Sequence, residues 1–311
     1  MNLTYLLGAG ASANALPLIM NMNERMQKFV DHLDKFNLLD ENKLQQLSQL
    51  LDKIKGHYTS DTYAKKLHLM KEDDSLLNAF MAAYFSYEQM QKDLKSAFYS
   101  NNHLSQLRTE DVAIYEKIGK QIDYRYDAFL ATLLIRETDG SLVLPANINI
   151  ISWNYDLQFE LAYLNFMKSR SLTDAQRKLK ISLSVKTQKE KANGWRNLHS
   201  NKIVKLNGSA SFFKKGNEVD VLNLDTSLEY ENFQFNQMTA QKLLDMMICK
   251  KDEYDTNIKF SWKNDIDTRT VRNDAKQILS KTDILVVIGY SFPYFNREVD
   301  RDIFSNADDK I

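Results

Sequence analysis

The sequence predicts an α/β fold, an open and mostly parallel sheet with a large helical insertion after its first strand. Three observations predict it. An apolar run, Leu3–Leu7, ends in Gly8-Ala9-Gly10 and a polar Ser12. A long stretch of helical periodicity then separates it from the next β-branched run, Ile148–Trp153. Polar or glycine-containing turns follow four apolar runs, at Gly8–Ser12, Asn154–Asp156, Asn207–Ser209 and Gly289–Ser291. In an open parallel sheet such turns gather at the carboxyl edge, where ligands bind.

The first element is the strand at Leu3–Leu7. Its Gly-x-Gly turn lets the backbone pass close to a bulky anion, such as the pyrophosphate of a dinucleotide. The same pattern also serves where a strand end needs positive φ or close packing. Ser12 either donates to a phosphate or caps a helix. Met26, Phe29, Val30 and Leu33 share one face of a helix that Asn21 or Asn23 would cap.

From about residue 40 to residue 137 the pattern is helical. Leu44, Leu47, Leu50, Leu51 and Ile54 form one stripe. Leu76, Phe80, Ala83, Tyr84, Tyr87, Met90, Leu94 and Phe98 form a second, and Val112, Tyr115, Ile118, Ile122, Tyr126, Phe129, Leu130 and Leu133 a third. Each has the i, i+3, i+4, i+7 spacing of a helix with one buried face, so these aromatics read as packing. His57, His68 and His103 stand at no metal-ligand spacing.

The sheet resumes at Ile148–Trp153, and a helix with Leu157, Leu161, Leu164 and Met167 on one face follows Asn154-Tyr155-Asp156. Asn154 and Asp156 sit where a cap or a functional group would sit. Trp153 and Tyr155 read as core. Lys202–Leu206 reads as a strand, 236–251 as helical, 257–262 as strand-like, 270–280 as helical and 296–305 as a last helix. Asp283–Ile288 is the clearest buried strand, a continuous apolar run without alternation.

Composition narrows the function. The 311 residues carry 41 Lys+Arg and 41 Asp+Glu, a formal net charge of zero. That balance argues against a dedicated nucleic-acid binder or a membrane-surface protein. No apolar run is long enough to span a bilayer. A single cysteine, Cys249, excludes an internal disulfide and a four-cysteine zinc site, and a reducing cytoplasm is the expected setting.

Gly8-Ala9-Gly10-Ala11-Ser12, Trp153-Asn154-Tyr155-Asp156, Lys205-Leu206-Asn207-Gly208-Ser209 and Ile288-Gly289-Tyr290-Ser291-Phe292 occur in the order of the sirtuin-like NAD-binding fold. The set resembles most the branch found in bacterial anti-phage defence proteins, which hydrolyses NAD+ to nicotinamide and ADP-ribose. The resemblance implies a Rossmann-like NAD-binding domain at 1–36 and 140–311, interrupted by a helical module at 37–139. It implies NAD+ as substrate, no metal, and a defence role through NAD+ depletion. It also implies control by a homo-oligomer or a defence-system partner protein. Gly8, Ala9, Gly10 and Ser12 would cradle the pyrophosphate, and Gly289 and Ser291 would lie against the adenosine ribose or the phosphates. Asn154 would orient the attacking water through its carbonyl while its amide donates to a ribose hydroxyl. Asp156 would stabilise the cationic ribose or hold the nicotinamide amide.

Two departures matter. The zinc module of the protein-deacylating relatives is absent. Asn207 stands where the family has histidine, and an amide accepts no proton near neutral pH. His199, eight residues upstream, is a candidate to replace it in space. The alternative expectation is therefore a catalytically impaired NAD+ or ADP-ribose-binding sensor or scaffold. A phosphate-binding enzyme of another doubly wound family is the remaining rival.

Overall fold

A computed structural model describes residues 1–57, 59–92, 122–167, 172–182, 202–214, 221–222 and 234–307. The expected stripe residues Leu94, Phe98, Val112, Tyr115 and Ile118, together with His103 and His199, lie outside the described residues.

Strand β1 (Leu3–Leu7) turns through a 3-10 segment at Ala9–Ser12 into helix α1 (Ile19–Lys35). Helix α1 buries Met26, Phe29, Val30 and Leu33, the face read from the sequence. It starts earlier than that reading. Leu18 is its N-cap, with no side-chain capping bond, so neither Asn21 nor Asn23 caps it. Helix α2 (Glu41–Gly56) starts on Asp40, whose side chain accepts from Lys43 N. Helix α3 (Ser60–Met70) starts on a Thr59–Thr62 capping box. Helix α4 (Ser75–Gln89) is buried at every residue from Ala79 to Gln89, not along one stripe. It ends where Met90 turns extended, and a two-residue strand β2 (Gln91–Lys92) follows.

Helix α5 (Tyr124–Leu133) leads through a small hairpin, β3 (Ile135–Arg136) and β4 (Leu142–Val143), into β5 (Ile148–Ser152). Then come α6 (Gln158–Leu164), α7 (Leu172–Lys178), β6 (Ile181–Ser182), β7 (Ile203–Lys205) and β8 (Gly208–Lys214). Short strands β9 (Val221–Leu222) and β10 (Gln234–Phe235) precede α8 (Gln237–Leu244) and a π-helical turn at Asp245–Cys249. The chain closes with β11 (Tyr254–Ile258), α9 (Ile266–Leu279), β12 (Ile284–Ile288) and α10 (Arg297–Ile303).

The central sheet has the order β12-β1-β5-β7-β6, and every pairing in it is parallel. Leu7 lies opposite both Ile288 and Ser152, and Ser152 lies opposite Lys205, so four strand ends finish level. Leu6, Ile151 and Val204 face a core shared with helices α1–α4, α9 and α10. Leu7, Ile150 and Ile203 face a second core built with α5, α6 and α7. Helices on both faces of a parallel sheet are the doubly wound arrangement, consistent with a Rossmann-like fold.

One expectation about strands needs correction. β12 is not the most buried strand. It is the edge of the sheet, with Ile284 and Val287 41% and 40% exposed. The strand-like stretch read at 257–262 overlaps the end of β11. β11 pairs antiparallel with β8, and β8 with β9, in a separate three-stranded sheet. α4 packs against β8 and β11, which explains its burial on all sides.

Candidate functional site

Because the strands run in one direction, the loops after β1, β5, β7 and β12 emerge at one edge. Direct hydrogen bonds and close packing link them. The Asn154 side-chain amide donates to the Gly8 carbonyl at 3.0 Å and to Ser12 Oγ at 3.3 Å. Ser12 Oγ donates to Asp156 Oδ2 at 2.8 Å. The Tyr126 hydroxyl of α5 lies 3.1 Å from Ser12 Oγ. Ser12, Asn154, Asp156 and Tyr126 are all buried.

The glycines at β1 have a packing reason. A Cβ on Gly8 would fall 2.6 Å from the Gly289 carbonyl oxygen, and one on Gly10 2.7 Å from Gly289 Cα. A Cβ on Gly289 would fall 2.3 Å from Ala11 N, and Gly289 has φ of +65°. The β1 and β12 turns therefore pass each other at a distance only glycine permits. Their amides face inward: Gly8 N donates to Ile288 O, Gly10 N to Gly289 O and Ala11 N to Gly8 O, at 2.9, 3.0 and 2.9 Å. The outward N–H cradle expected of this turn is thus spent within the fold at these three residues. Ala9 is exposed at its tip.

Asp156 ties the start of α6 to the β1 turn. Its Oδ1 accepts from Gln158 N at 3.1 Å at the start of α6, and its Oδ2 holds Ser12. Burial pushes its carboxyl above the usual carboxylate range, with the Lys205 ammonium opposing. Asn154 makes no capping bond among the described residues; its amide holds the β1 turn, where the expectation had it donate to a ribose hydroxyl.

Both polar atoms of the Asn207 side chain bond to backbone. Its Nδ2 donates to Trp153 O at 3.2 Å and its Oδ1 accepts from Ser261 N at 3.0 Å. Gly208 follows with φ of +73°, the turn that sends the chain from β7 into the second sheet. Ser291 is exposed, and the β12 loop reaches the β5 loop through Tyr290, whose ring stacks on Trp153 at 5.5 Å and 15°.

Sequence reasoning missed three groups. Lys205 is 2% exposed; its Nζ donates to Glu160 Oε1 and to the Asp156 carbonyl oxygen, each at 2.6 Å. A lysine inside an apolar strand was the available signal, since a buried cation needs a partner. Tyr126 was read as packing alone. Arg125, beside it, reaches the β1 turn: its Nη2 donates to Gly10 O at 3.1 Å and Ala11 O at 3.2 Å.

Among the described residues no group of three or more His, Cys, Asp or Glu could hold a metal ion, and no helix is long and apolar enough to cross a membrane. An open groove of about 1310 Å³ lies apart from this network, between α3, α9 and the start of α10. None of its lining residues belongs to the Ser12 cluster. In comparisons with known proteins, the chain matches no protein-family model and no curated protein.

Proposed function

We propose that this chain binds NAD+ at the carboxyl edge of its parallel sheet and hydrolyses it to nicotinamide and ADP-ribose. The observation that carries the reading is the Asn154 bridge, which ties the β5 loop to the β1 turn through Gly8 and Ser12. Doubly wound sheets bind dinucleotides at this edge. The four motifs resemble the sirtuin-like set in order.

Breaking the nicotinamide–ribose bond builds positive charge on the ribose, and nicotinamide leaves neutral, so the protein has to stabilise a cation and place a water. Asp156 faces that task with a raised affinity for a proton. The water's oxygen bonds to the ribose carbon as its proton passes to this carboxylate and on to solvent. Asn207 takes no proton and stays bound to Trp153 and Ser261. In a cell this activity would deplete NAD+, the defence role that the resemblance implies, under control of a homo-oligomer or a partner protein in the cytoplasm.

The second reading is a module that holds NAD+ or ADP-ribose without turnover. It is favoured by one observation, the engagement of both Asn207 polar atoms by backbone. Incubating the purified chain with NAD+ and measuring nicotinamide separates the two. Release that Asn154→Ala abolishes supports the hydrolase. Release only after Asn207→His supports the binding module. No release from either, with no stabilisation by NAD+ or ADP-ribose in thermal melts, removes both.

A further inference from the structure

With the Gly8, Gly10 and Ala11 amides committed inside the fold, the β1 turn lacks three of the donors that an anion would use. Arg125 sits against the same turn. Its Nε donates to Asp123 Oδ1 at 2.9 Å, and its Nη2 donates to Asp123 Oδ2 at 2.6 Å as well as to the Gly10 and Ala11 carbonyls. These bonds fix the guanidinium plane, while its side chain stays 42% exposed. No hydrogen bond among the described residues uses its Nη1. Asp123 is itself spread over other donors: Asn14 N at 2.9 Å and Arg125 N at 3.0 Å. The carboxylate that fixes Arg125 is therefore shared among several N–H groups.

We propose that Arg125 is the diphosphate-binding residue of this site, supplying from a side chain the positive charge that the glycine turn does not supply from its amides. A held guanidinium with a free edge suits an oxyanion, because its planar N–H groups match phosphate oxygens and lose little freedom on binding. The ligand class is a nucleoside diphosphate whose distal phosphate carries a sugar, with ADP-ribose as the minimal form. The inference rests on the dinucleotide reading above.

The test is calorimetric titration of ADP-ribose and of adenosine into the wild-type chain, Arg125→Gln and Arg125→Lys, at low and high salt. ADP-ribose is expected to bind Arg125→Gln about 10- to 100-fold more weakly than wild type. The fall in affinity with salt should be shallower in that variant, and adenosine should bind both alike. Arg125→Lys keeps the charge without the fork, so it should retain the salt dependence at intermediate affinity. It also tests the idea should Arg125→Gln fail to fold. Unchanged ADP-ribose affinity in Arg125→Gln, or equal loss of ADP-ribose and adenosine, overturns the role of Arg125 and leaves the dinucleotide reading standing. A wild-type chain that binds neither compound overturns that reading, and this inference with it.

Discussion

β1 and β12 are neighbours of equal length, five residues each, paired in register from Leu3↔Ile284 to Leu7↔Ile288, and β12 is the more uniformly aliphatic of the two. Both end in a glycine turn. Yet Leu6 and Leu7 are buried, while Ile284 and Val287 stand in solvent. β1 has a strand on each side, and β12 has one. Burial here follows position in the strand order, not the apolar content of the strand. The same contrast holds for charge. The interior strand β7 carries Lys205, buried and paired with Glu160; β12 carries no charge at all.

The largest effect that would test this contrast comes from the interior charge. Lys205→Met leaves the Glu160 carboxylate buried without its partner, and a loss of about 3–5 kcal/mol in denaturant unfolding is expected. Lys205→Met with Glu160→Leu removes both charges and should recover most of that loss. If the single variant is as stable as wild type, the ion pair is not buried as described. A smaller pair of effects addresses the strands directly. Leu6→Ala should cost about 2–5 kcal/mol through the cavity it leaves. Val287→Lys should stay within about 0.5 kcal/mol, because edge strands tolerate exposed lysine. A Val287→Lys cost as large as that of Leu6→Ala would mean that the β12 edge is covered.

Much of this architecture was legible in the sequence. The parallel strands at Leu3–Leu7, Ile148–Ser152 and Ile203–Lys205 fall where apolar runs end in polar turns. The buried faces of α1 and α2 follow their stripes. What could not be read was position. A continuous apolar run is the signature of a buried strand, but strand order is set by long-range pairing, so β12 was read as buried and is an edge. α4 showed a stripe because its aromatics repeat at helical spacing; its remaining faces are covered by β8 and β11, far along the chain. Ser12, Asn154 and Asp156, which hydrogen-bond in one cluster, stood out because glycine, serine and Asx clusters mark strand ends. Arg125 and Tyr126 were not, because a residue on a distant helix carries no local sign that it reaches a glycine turn. The glycines were read mainly through an anion, whereas their contacts show two turns passing each other.

The finest contrast concerns two carboxyls held above their usual range by burial, Asp156 behind the interior strands and Asp300 beside the edge. Asp300, on α10, is 7% exposed and accepts the Tyr290 hydroxyl on both oxygens, at 2.9 and 2.8 Å. Burial raises its pKa to about 6, and the Tyr290 hydrogen bond opposes this. Unlike Asp156, it has no lysine among the causes that lower it. The folded chain therefore holds the Asp300 proton more tightly than the unfolded chain, whose carboxyl titrates near 4. Between about pH 4 and 6 the native state binds more protons, so stability from this group falls as pH rises through that window and is flat on either side. Asp300→Asn keeps an acceptor for Tyr290 and cannot ionise. The wild-type melting temperature minus that of Asp300→Asn should decline from pH 4 to pH 6.5 and then level off. A difference independent of pH would place Asp300 in solvent, and the Tyr290 stack on Trp153 would lose the support that α10 gives it at the sheet edge.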